Sequence, residues 1–139
     1  MIEYRSVPLV KQVCNALDRE VNNAVRAQEL TSSQIRLLLE LAKANGSLSF
    51  KELEERIGVS QATIAGLVRR LTQKGFIELR DDADDRRVKH AQFTVRGETK
   101  CIEARKHIDE IERTLTAGMT EAEVKQLFLL LSKARENLK

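Results

Sequence analysis

The run Gly58-Val59-Ser60 constrains this chain more than any other feature, because one helix must stop there and another must start. Phe50, Leu53 and Ile57 fall at helical spacing, so the segment before it has one apolar face. Ser49 and Glu52 make a capping box, each side chain satisfying a backbone donor left free at a helix start. Gly58 closes this helix, since glycine takes the left-handed C-terminal conformation without a Cβ penalty. Ser60 opens the next by accepting from a free N–H. With three residues between the two, the helices must cross steeply, as in a helix-turn-helix.

The second helix, Gln61 to Lys74, is the candidate reader of DNA. Ile64, Leu67, Val68 and Leu71 cluster on one side of it. Ala62, Gly66, Arg69 and Gln73 lie opposite, flanked by Gln61, Ala65 and Arg70. The outward face is small near its start and basic further along. Small side chains allow deep seating in a major groove about 12 Å wide, and arginine reaches guanine edges or phosphates. The competing reading packs Ala62, Ala65 and Gly66 against another helix and leaves Arg69 and Arg70 solvated. Ser60, Gln61, Ala62, Thr63, Gly66, Arg69 and Arg70 are the DNA-binding candidates on this helix.

Gly75 ends the reader. Phe76 to Arg80 has the length of a strand and Val88 to Phe93 can pair with it. Between them lies the charged tip DDADDRRVK. Either it is a solvated turn, or Arg86 and Arg87 enter a minor groove, where negative potential attracts arginine, with Lys89 beside them. Asp85 is the wing-orienting residue, accepting from Arg87 and aiming its fork outward.

The segments LTSSQIRLLLEL, GVSQATIAGLVRRLTQKGFIELR, DDADDRRV and FTVRG resemble the MarR-type winged-helix transcriptional regulators. The resemblance runs by motif from Thr31 to Gly97. The flanking helices match by placement and length only. A D-x-R element in the wing is a hallmark of that family; here it is Asp85-Arg86-Arg87. Ala83 stands where many members have proline, and Ala65-Gly66 where members often carry polar side chains. The resemblance implies a dimer, and in many relatives a small aromatic or anionic effector between the dimer helices and the DNA-reading motif. Some such regulators sense peroxide with a cysteine near the place of Cys14.

At 139 residues the chain is expected to be one domain, mainly α with a small β-hairpin wing. Residues 31–94 form the winged helix-turn-helix, and 1–30 and 95–139 the dimerisation helices. No run of about 18 apolar residues and no signal-peptide pattern is present, so the expected location is cytoplasmic, with no membrane partner. Net charge is +3. Residues 60–96 hold eight Lys/Arg against five Asp/Glu, and the rest holds sixteen of each, so the excess sits on the reader and hairpin.

In the first helix, from Pro8 to Gln28, the residues Val10, Val13, Cys14, Leu17, Val21, Ala24 and Val25 keep one apolar face. Thr31 and Gln34 make another capping box, and the helix that follows turns Ile35, Leu38, Leu39 and Ala42 inward. Leu48 starts a short strand beside the wing. Thr94 caps a helix reaching Gly118, whose Cys101, Ala104, Ile108, Ile111 and Leu115 form an a/d seam. Thr120 and Glu123 cap a last helix expected to bury Val124, Leu127, Phe128, Leu131, Ala134 and Leu138. Apolar terminal helices around a central DNA module suggest a two-fold dimer, with reader helices about 34 Å apart on a pseudo-palindromic operator.

Cys14 is a redox candidate, set against a reading as a small core residue; Cys101 reads as core. His90 could touch phosphate or be a plain strand residue. Arg19, Arg26, Arg36 and Arg105 could meet an anion. No metal or cofactor site and no catalytic residue set is expected. The function expected is a sequence-specific, DNA-binding transcriptional regulator, a homodimeric repressor released by a small ligand. The alternatives are a winged-helix protein-interaction module and a thiol-based redox regulator using Cys14.

Overall fold

The computed structural model describes residues 3–139, leaving the first two residues of the 1–30 segment outside. Every helix start after the first is set by a hydroxyl. Thr31, Ser49, Ser60, Thr94 and Thr120 each accept from the backbone N–H three residues on. At Thr31, Ser49 and Thr120 the third residue returns the bond, completing the capping boxes. The elements run α1 (Ser6–Ala27), α2 (Ser32–Lys43), β1 (Ser47–Ser49), α3 (Phe50–Ile57), α4 (Gln61–Gln73), β2 (Ile77–Asp81), β3 (Lys89–Phe93), α5 (Val95–Leu115) and α6 (Glu121–Asn137). The sheet is antiparallel in the order β1-β3-β2, with Ser49 opposite His90 and Leu79 opposite Ala91.

Several boundaries differ from expectation. Helix α1 starts at Ser6, placing Pro8 third in it; proline fits there because first-turn N–H groups lack partners anyway. Helix α4 ends at Gln73, with Lys74 as its C-cap. Each wing strand starts one residue later than its pattern suggests, and α5 stops at Leu115, before the left-handed Gly118.

The core gathers on α2, whose Leu37, Leu38 and Leu41 are fully buried. Leu39 and Ala42, expected inward, are half-buried. Helix α2 is packed by α1 and α5 on one side and by α3, α4 and the sheet on the other, so its buried surface is wider than one stripe. Ile64, Leu67, Val68 and Leu71 bury the inner face of α4 as expected. Val25, Cys101 and Ala104 belong to the same core, so it runs without a break from the central module into α1 and α5.

The two ends of the chain differ from what their patterns suggested. Helix α6 has no fully buried residue: Phe128 is 69% exposed and Leu131 49%, while Val124 and Leu127 are half-buried. Val10, Val13 and Cys14 on α1 are also exposed, so Cys14 is not a core residue here. The stripes are apolar as read, but the described residues leave Val10, Val13, Cys14, Phe128 and Leu131 exposed, whereas Val25 at the end of the α1 stripe is buried.

Candidate nucleic-acid interface

Ser60 starts α4 by accepting from Thr63 N at 3.2 Å, and its hydroxyl lies 2.9 Å from the Thr63 hydroxyl. With four apolar residues turned inward, the outer face carries Gln61, Ala62, Thr63, Ala65, Arg69 and Arg70, all exposed. A Cβ built on Gly66 meets nothing within 4 Å. No described helix covers Ala62, Ala65 or Gly66, so the packing alternative is not realised among the described residues. Among the described residues, Arg69 and Arg70 make no ion pair.

The wing is tied together by its own acids. Asp82 accepts from the backbone N–H groups of Asp84 and Asp85, at 3.0 and 3.1 Å, and from His90 Nε2 at 2.8 Å. The His90 bond first, and the two N–H donors after it, hold the Asp82 carboxyl below the usual carboxylate range. His90, on β3, thus commits its Nε2 to Asp82 and braces the wing. Asp85 takes three bonds from Arg87, from Nε, Nη2 and the backbone N–H, at 3.1, 3.1 and 3.0 Å. These lower its pKa in turn. The Arg87 side chain remains 90% exposed, so the carboxylate aims the fork without covering it. Arg86 has no ionic partner among the described residues, whereas Lys89 pairs with Asp81 across the hairpin.

Between α3 and the wing runs a groove of about 480 Å³, lined by Ser49, Lys51, Glu54, Gln61, Arg87 and Lys89 among others. It brings Lys51, which sequence reasoning missed, beside two wing cations and the first residue of α4. Nothing near Lys51 in the chain signals this. The proximity follows from β1 pairing with β3, which draws the start of α3 toward the hairpin.

On the far side of the core, α1, α2 and α5 enclose a cavity of about 150 Å³, with Gln28, Arg36 and His107 on an otherwise largely apolar wall. Of the other anion candidates, Arg105 lies on a separate groove between α5 and the sheet, and Arg19 and Arg26 are exposed on α1. Cys101 is buried in the core, and that burial pushes its thiol pKa up.

Two packed helices joined by a short turn, the second with a small outer face, and a three-stranded sheet ending in an arginine-tipped hairpin define a winged helix-turn-helix protein. The sequence pattern of the MarR family matches residues 28–88. The uncharacterized HTH-type transcriptional regulator YwaE of Bacillus subtilis is 33% identical over 93 residues, covering 67% of this chain and 54% of its own. The chain thus spans about half the length of that relative. The multiple antibiotic resistance protein MarR of Salmonella typhimurium is 27% identical over 126 residues, covering 90% of this chain and 87% of its own. Among solved structures, a MarR mutant from E. coli complexed with operator DNA has the same fold, with a TM-score of 0.79 at 23% identity over 93% of this chain and 92% of that one. Over these residues the chain is similar to the MarR family.

Proposed function

We propose that this protein is a transcriptional repressor that binds operator DNA as a homodimer. The observation that carries the reading is the exposed, unpaired face of α4 standing beside a wing whose Arg87 is held outward by Asp85. Helix α4 enters the major groove, with Ser60, Gln61, Ala62, Thr63 and Gly66 against base edges and backbone, and Arg69 and Arg70 on guanine or phosphate. Arg86 and Arg87 reach the neighbouring minor groove. Lys51 and Lys89 flank the phosphodiester that crosses the α3–wing groove.

Dimerisation rests on the uncovered apolar residues of α1 and α6. Phe128, Leu129, Leu130 and Leu131 are all about half or more exposed, an arrangement that calls for a covering surface. In this reading 1–30 and 95–139 supply the interface and 31–94 reads DNA. A two-fold axis then sets half-sites about one helical turn apart. The cavity between α1, α2 and α5 is near the size that holds one aromatic ring, and Arg36 on its wall suits an anion. A small aromatic anion there releases the operator. The protein acts in the cytoplasm, where its DNA lies, and has no catalytic role. No described helix is long and apolar enough to cross a membrane.

The test is selection from a random duplex pool at two salt concentrations. A two-fold symmetric enriched site, bound more weakly at higher salt, is the expected result. Absence of binding at low salt would overturn the reading in favour of a protein-interaction module.

A further inference from the structure

Between α1 and α2 lies a four-residue corner, 28–31, with an unusual backbone. Glu29 has φ of 59°, the left-handed conformation that normally falls to glycine. Its N–H donates to Arg26 O and that of Leu30 to Val25 O, both at 3.1 Å, while Leu30 is buried as the anchor. A non-glycine residue held in this region persists where its surroundings over-determine it, and such residues cluster at switching elements.

What holds it comes from the reader. Lys74, the C-cap of α4, donates from Nζ to Glu29 O at 2.6 Å and to Gln34 Oε1 at 3.1 Å. Gln34 is only 3% exposed, and the same oxygen accepts from Thr31 N at 3.1 Å. One ammonium therefore joins the end of α4 to both the strained carbonyl and the capping box of α2. On its other side the corner reaches α5. Gln28 donates from Nε2 to His107 Nε2 at 3.0 Å and accepts from Lys100 Nζ at 3.4 Å. Gln28 and His107 also stand on the wall of the 150 Å³ cavity.

We propose that Lys74 is a positioning residue for DNA reading: it latches the C-terminal end of α4 to the α1–α2 corner and thereby sets the pitch of the reader helix relative to the terminal-helix body. This rests on the reading of α4 as the DNA-binding helix. Lys74 acts through Glu29 and Gln34 and touches no DNA. A group that takes Gln28 or His107 from the cavity side moves the corner and loosens the latch, which gives the cavity a route to the reader.

The experiment compares wild type with Lys74→Met, Lys74→Arg and Gln34→Glu. Each is titrated with the duplex enriched from the random pool and with a random-sequence duplex of the same length, over a range of salt. Lys74→Met is expected to weaken specific binding by roughly five- to tenfold, within the range of site-to-site couplings. Binding to the random duplex and the salt slope stay unchanged. Amide exchange at Glu29 and Leu30 speeds up, while core amides on α2 do not. Lys74→Arg restores specificity, because a guanidinium still reaches both oxygens. Gln34→Glu preserves it, because glutamate keeps the capping box and pairs with the ammonium.

Three results would overturn the latch: Lys74→Met binding as wild type does; a salt slope lower by about 1, the mark of a lost phosphate contact; or equal losses on both duplexes that track the folded fraction. Wild type binding no duplex at all would remove the reader itself, and the latch with it.

Discussion

Gly97→Ala has a cost that can be worked from distances. Gly97 is the third residue of α5, buried, and its N–H donates to Thr94 Oγ1 at 3.0 Å. A Cβ there would stand 1.7 Å from Phe76 O and 2.6 Å from Phe76 C, against ordinary contact at 3.4–4 Å. Both sides of the clash are backbone, so no rotamer relieves it and the two segments must separate. Separation breaks two more bonds, Thr94 N to Phe76 O at 3.2 Å and Thr94 Oγ1 to Gly75 O at 2.7 Å. Overpacking costs about 1–3 kcal/mol, and each broken bond adds about 1 kcal/mol, so the expected loss is about 3–5 kcal/mol. In a chain of this length each kcal/mol lowers Tm by roughly 4 °C, which predicts a fall on the order of 10–20 °C. The assay is a far-ultraviolet circular-dichroism melt at matched protein concentration, since Tm of an oligomer depends on concentration. A variant melting within roughly 3 °C of wild type, less than 1 kcal/mol by the same conversion, would refute the reasoning.

Other outcomes follow from the same geometry. Gly66→Ala meets no atom within 4 Å, so it should stabilise α4 by about 0.5–1 kcal/mol yet weaken operator binding; unchanged binding would exclude close approach of DNA at this face. Arg87→Ala should lower the salt slope by about 1 for any duplex, whereas Arg69→Ala should cost about 1–3 kcal/mol at one preferred base; identical behaviour of wild type and both variants in salt titrations would sink the assignment of reader and wing. Phe128→Glu should convert the proposed dimer to monomer in sedimentation velocity, and an unchanged dimer would place the interface elsewhere. The lowered pKa of Asp82 means that its folded-state bonds favour the ionised form, so their contribution is present above the unfolded value and lost as pH falls through the folded one. The amide shifts of Asp84 and Asp85 should therefore titrate with a midpoint below the ordinary 3.8; a midpoint at or above it would contradict the hydrogen-bonded wing.

Much of the candidate interface was legible because it is local. The Ser60 cap, the inward Ile64-Leu67-Val68-Leu71 face and the Asp85–Arg87 bonds each join residues only a few positions apart, and the structure contains all three. The positions of Lys51 beside the wing, and the bonds His90 and Lys74 make, were not legible. His90 meets Asp82 eight positions away, through strand register, and Lys74 meets Glu29 across 45 positions. No periodicity reports such pairs.

By itself, the sequence determined where the five hydroxyl-capped helices begin, which side of each is apolar, and that a charged hairpin follows the reader. Capping hydroxyls, left-handed glycines and side-chain spacing act within one or two turns, before any packing. Only tertiary structure decided what those faces meet. It surrounded α2 and so buried Leu37 and Leu41, brought Lys51 to the wing, fastened Lys74 to the strained corner, and left α6 and Cys14 uncovered. An apolar stripe records that a residue needs burial, and a charge that it needs a partner or water. Which partner arrives is set by how distant segments pack, because burial is non-directional and takes whichever surface the fold brings near.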